Sequence, residues 1–102
     1  MGSLVTFPQS VDAQLRYAIA HNRLIQLRYN GKTRTVEPHD YGVLNGTPKL
    51  LAYQRPVWRT FEVSKIQSLT VLEKTFGGGR GDPRQHHLKW EVLYARVAER
   101  DP

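Results

Sequence analysis

The chain has 102 residues, no cysteine and a net charge of +6, a length that can bury one modest core without cross-links. The missing cysteines exclude a disulfide framework and any thiolate metal site. No apolar run reaches the roughly 18 residues of a membrane span, and no basic-then-apolar leader opens the sequence, so a soluble cytoplasmic protein is the expectation.

Ser10 is placed to cap a helix, with Asp12 in its first turn favourable to the helix dipole. Val11, Leu15, Ala18 and Ile19 share one helical face, and Asn22 supplies a stop because Asn tolerates the left-handed conformation. This predicts one amphipathic helix over about 11–21. From Leu24 the period changes to two, as Ile25, Leu27 and Tyr29 alternate with Gln26 and Arg28 in the pattern of a half-buried strand. Asn30-Gly31 then signals a hairpin, since both residues accept the positive φ of a type I′ turn. A second strand runs from Thr33 towards Leu44, with a bend or sheet edge expected at Pro38. Asn45-Gly46 repeats the turn chemistry. Leu50 to Gln54 reads as a third strand, Arg59 to Lys65 as a fourth and Ser68 to Glu73 as a fifth. Five short strands joined by tight turns suggest a small closed barrel, because closure hides strand edges.

After Phe76 the stretch from Gly77 to Pro83 has no hydrophobic pattern and reads as a flexible loop over 77–84. The Arg80-Gly81-Asp82 triplet inside it invites an integrin reading, which the lack of a secretion signal reduces to chance. In the segment over about 88–98, Leu88, Trp90, Val92 and Tyr94 alternate as in a strand, whereas Trp90, Leu93, Tyr94 and Val97 share a helical face. Aromatic and β-branched content favours the strand.

Charge is unevenly placed. Residues 13–72 hold nine basic side chains and three acidic ones, while the flanks nearly cancel. This excess favours anionic partners, against the plain reading of a solvated basic surface.

The residues from Thr33 to Ile66 then take on a recognisable order. Arg34-Thr35-Val36-Glu37-Pro38-His39 is followed by Leu50-Leu51-Ala52-Tyr53, then by Arg59-Thr60-Phe61 and Lys65-Ile66. This order resembles the WYL domain, a module of prokaryotic transcription regulators and defence-associated proteins, over roughly residues 24–76. The eponymous Trp-Tyr-Leu falls on Pro48-Lys49-Leu50, so only the Leu is kept. The resemblance implies a mainly β fold: a small Sm-like β-barrel of five or six strands with an N-terminal α-helix covering one end. It also implies a ligand-sensing regulatory role, binding of single-stranded nucleic acid or a nucleotide-like ligand, and a homodimer. Family members usually carry a helix-turn-helix domain as well. With only one helix before the strands, the expectation is a sensor subunit, an accessory protein or an excised domain.

The candidate binding residues are Arg34, His39, Tyr53, Trp58, Arg59 and Lys65. Arg34 lies on the second predicted strand and Arg59 and Lys65 at the two ends of the fourth, where cations could meet one phosphate, and arginine offers a planar fork for it. His39, Tyr53 and Trp58 add aromatic surface, with stacking on a base worth about 1–3 kcal/mol. Phe61 shares a strand face with Val63 and reads as core. Tyr53 is divided between core edge and site, and Trp58 follows a turn that would leave it partly exposed. Arg34 and Arg59 could instead simply pair with Glu37 or Glu62. Catalysis is not expected: adjacent His39 and Asp40 should point to opposite faces of a strand. His86-His87 has the same defect as a metal pair, and no further ligand completes a site. No phosphate loop or dinucleotide fingerprint occurs, and no cofactor or metal is expected. The alternative is a protein-interaction or oligomerisation module, with a protein partner in a regulatory or defence system.

Overall fold

The computed structural model describes residues 10–80 and 88–98. Helix α1 spans Val11–Ala20 and opens as its sequence dictates: the Ser10 side chain accepts a hydrogen bond from the Ala13 N–H at 3.1 Å. Its face of Leu15, Ala18 and Ile19 is buried, with Val11 packed at the margin. Asn22 takes a φ of 52°, and the chain leaves the helix through that left-handed residue.

Among the described residues six strands follow: β1 (Arg23–Tyr29), β2 (Lys32–Leu44), β3 (Thr47–Gln54), β4 (Val57–Glu62), β5 (Ser68–Thr75) and β6 (Val92–Arg96). Both Asn-Gly turns carry positive φ at each residue, as type I′ geometry requires: 52° and 74° at Asn30 and Gly31, 53° and 81° at Asn45 and Gly46. All pairings are antiparallel, in the order β4-β3-β2-β1-β5, with β6 added on β2. Strand β2 organises this sheet. Its first part pairs with β1, its second part lies between β3 and β6, and the break near Pro38 is a bulge in the pairing with β3.

Two expectations are corrected. The fourth strand ends at Glu62, because Val63–Lys65 turns into one 3₁₀ turn that redirects the chain into β5; it also begins earlier, at Val57. The closed barrel is replaced by a six-stranded antiparallel sheet in which, among the described residues, no pairing joins β4 to β5. The final segment is a strand. Of the 77–84 loop, residues 81–84 lie outside the described residues, as do Gly81 and Asp82 of the triplet and the His86-His87 pair.

The core sits between α1 and one face of the sheet. Ile25, Leu27, Val36, Leu50, Ala52 and Phe61 line that inner face, each at most 1% exposed. Burying a side chain of this kind is worth about 1.5–3 kcal/mol. Asp40, fully buried, receives two hydrogen bonds from the Arg96 guanidinium at 3.0 and 3.1 Å, which ties β6 to β2. Among the described residues no helix is long and apolar enough to cross a membrane.

Candidate functional site

Directly opposed residues of an antiparallel pair share a face, and that rule places the cations. Arg34 stands opposite Leu27, and Arg59 opposite Ala52, so both belong to the inner face, beyond the last layer of core side chains. Tyr29 ends the inner row of β1, and Phe61 follows Arg59 by two positions on β4. Where this face runs out, Tyr29, Asn30, Arg34, Trp58, Arg59, Thr60 and Phe61 line an open pocket of about 270 Å³.

The pocket is cationic by construction. Among the described residues no acidic side chain lines it. Glu62 pairs with Lys65 at 3.5 Å and Glu37 pairs with Arg80 at 2.8 Å, so the two carboxylates that could have neutralised the pocket arginines are engaged elsewhere. Arg34 donates from Nη1 to Gln54 Oε1 at 3.2 Å, and its buried Nε has no partner among the described residues. Its guanidinium carbon lies 5.8 Å from the centre of the Phe61 ring. Arg59 is exposed and makes no ion pair among the described residues. Two guanidiniums with donors to spare can receive an anion, while the Trp58 ring, from the position before Arg59 and opposite Tyr53, is turned to the aromatic residues of the other face.

The six candidate residues separate into three groups. Arg34, Trp58 and Arg59 line the pocket. Tyr53 and His39 belong to an adjoining aromatic cluster: Trp58 is edge-on to Tyr53 at 5.2 Å and to His39 at 4.7 Å, and Phe76 stacks on His39 at 5.4 Å. His39 is fully buried there and presents no surface to a ligand; it is the residue that the β2 bulge leaves without a Cα partner on β3. Its Nδ1 contacts the Glu37 carbonyl at 2.8 Å, so Nδ1 carries the proton and donates. Burial pushes the imidazole below its ordinary pKa, and the Glu37 carbonyl opposes that shift. Lys65 stands apart on the 3₁₀ turn with its side chain 63% exposed beside Glu62.

Sequence reasoning missed Tyr29, Asn30 and Thr60 as pocket lining, and Glu37, Phe76 and Arg80 around the aromatic cluster. Tyr29 could have been found, since its parity with Ile25 and Leu27 puts it on the inner face. Nothing local in the sequence marks Arg80, which reaches Glu37 across 43 positions.

The family model for the WYL domain matches residues 11–71, which takes in α1, β1 to β4 and the start of β5. Among solved structures, the chain is similar to proteasome accessory factor B/C (PafBC) of Arthrobacter aurescens, with a TM-score of 0.65 and 21% identity over 79% of this chain. The match spans 15% of the PafBC chain, and the likeness is one of fold. No curated protein matches the chain.

Proposed function

Because the chain belongs to the WYL domain family, we propose that it is a ligand-sensing regulatory module that binds a phosphate-bearing ligand, single-stranded nucleic acid or a nucleotide. The observation that carries this reading is the pocket itself: Arg34 and Arg59 line it, with no carboxylate from the described residues among its walls. The phosphate would take the arginine forks, with Asn30 and Thr60 offering polar atoms to the rest of the ligand. Binding, not chemistry on the ligand, is the task in this reading. A strongly bent, Sm-like sheet belongs to the same proposal. It is supported by the helix-first order, by the 3₁₀ turn between β4 and β5, and by the Tyr29 hydroxyl, which accepts from the Glu62 N–H at 3.1 Å and draws the end of β4 to the end of β1.

Fluorescence anisotropy with a labelled single-stranded oligonucleotide and with a labelled nucleotide tests the proposal. Arg59→Lys is expected to weaken binding despite keeping the charge, because a bidentate contact is lost. A folded Arg34→Ala/Arg59→Ala variant that binds as tightly as the parent would refute the pocket assignment. A second reading, docking on a protein or on a second copy of this chain, is favoured by β6. That strand adds an edge to the sheet and exposes Val92 at 48%, Leu93 at 40% and Tyr94 at 36%. Apolar docking would respond little to salt, whereas phosphate binding weakens steeply.

A further inference from the structure

We propose that residues 76–80 form a latch over the aromatic half of this site, with Arg80 as its catch. The inference rests on the pocket reading above and concerns how that site is regulated. The latch residues lie beyond the WYL match, which ends at residue 71.

The stretch covers His39 and Tyr53 from one side. Phe76 stacks on His39 at 5.4 Å. The Arg80 guanidinium lies 3.9 Å from the centre of the Tyr53 ring and holds both Glu37 carboxylate oxygens, at 2.9 and 2.8 Å. A cation seated on a ring occupies the face on which a base would stack. Arg80 thus stands where a ligand could, and the carboxylate that retains it is the one opposite Tyr53 in the β2–β3 register.

The hold is non-covalent. The backbone of the latch is fastened near its two ends, Phe76 N–H to the Asn22 carbonyl at 2.9 Å and Gly79 N–H to the Ala98 carbonyl at 2.8 Å. Between them Gly78, itself buried, takes a φ of 103°, a conformation that favours glycine. The ion pair is partly buried, its side chains 30% and 18% exposed, so salt screens it only in part. A phosphate arriving next door also offers Arg80 a second acceptor suited to its fork.

Trp58 joins the two halves. It lines the pocket and also touches both Tyr53 and His39, so latch and pocket share a wall. A ligand that stacks on Tyr53 would favour the open form. By reciprocity, breaking the catch would raise affinity for that ligand.

The test uses a short fluorescein-labelled oligothymidylate as the probe and two variants outside the pocket lining. Arg80→Ala and Glu37→Gln release the catch from opposite sides. Each is expected to raise affinity by roughly three- to tenfold, the gain available when a largely closed population is opened. Tyr53→Ala should remove that gain in the Arg80→Ala background. Binding unchanged in both variants overturns the latch, as does weaker binding in Arg80→Ala, which would make Arg80 a ligand contact. A ligand-free measurement runs beside it: exchange of the Gly79 amide should accelerate in both variants while amides of β1 keep their protection. Unaltered Gly79 exchange overturns the latch whether or not the probe binds. If no variant binds the probe, the phosphate reading of the pocket falls, and the exchange result alone decides the latch.

Discussion

Burial holds the His39 imidazole below its ordinary value of 6.5, and the hydrogen bond to the Glu37 carbonyl recovers only part of that shift. Its other nitrogen, Nε2, is buried without a partner among the described residues, so a second proton there would sit uncompensated beside Phe76 and Trp58. Below 6.5 the unfolded chain therefore takes up more protons than the folded one. The stabilisation by neutral His39 is complete above 6.5 and is lost as the pH falls from there towards the folded-state value. Urea midpoints measured across pH should stay level above about pH 7 and decline beneath it. A folded His39→Gln variant should lack that decline. Asp12, held low chiefly by the hydrogen bond from the Tyr41 hydroxyl, loses stabilisation in the same direction but only from its ordinary 3.8 downward, so the two windows are separate. This residue also marks how far the site could be read in advance. Strand parity alone suffices to set Arg34 and Arg59 on the face of Phe61, and the turn before Trp58 accounts for its partial exposure. The burial of His39 was not legible, because it depends on Trp58 of β4 and on Phe76 just past β5, which meet it only in the folded sheet.

Gly42 sets the terms on which β6 joins the sheet. A Cβ built there would overlap the Val92 carbonyl oxygen and lie 3.0 Å from the Leu93 Cα, both backbone atoms of the strand paired with it. Those atoms can yield only by moving the strand. Gly42→Ala is therefore expected to cost about 1–3 kcal/mol, as overpacking does elsewhere. The cost should be local: amides of β6 should lose exchange protection while those of β1 and β3 keep theirs, and uniform loss across all three would refute this account. The elements themselves were readable where local chemistry decides them, as at Ser10 and the two Asn-Gly turns. They were misread where it does not. Val63 continues the alternation begun by Phe61, and so extends the fourth strand on paper, yet the chain turns there and the Ile66 N–H closes onto the Val63 carbonyl at 3.1 Å. Closure of the barrel failed as an expectation for a related reason. Strand count and turn type fix neighbours along the chain, whereas joining β4 to β5 depends on sheet curvature that no short motif encodes.

At the scale of the whole molecule, the question is whether the basic excess acts as a diffuse field or through one pocket. Nine basic side chains against three acidic ones over residues 13–72 would draw any polyanion at low salt. A diffuse field would spread phosphate contacts over exposed cations such as Arg28 and Arg55, neither of which lines the pocket. A pocket would concentrate them on Arg34 and Arg59. The slope of log affinity against log salt separates these cases, because each phosphate contact made to a single strand contributes about 0.7 to it. Arg34→Ala and Arg59→Ala should each flatten the slope by about that amount. Arg28→Ala/Arg55→Ala removes the same total charge as the pocket double variant and should leave the slope almost unaltered. Equal flattening by both double variants would mean that the fold merely carries its charge on the surface. Flattening confined to the pocket pair would mean that the fold gathers two of its arginines at the margin of its inner face, where core packing ends and a ligand can begin.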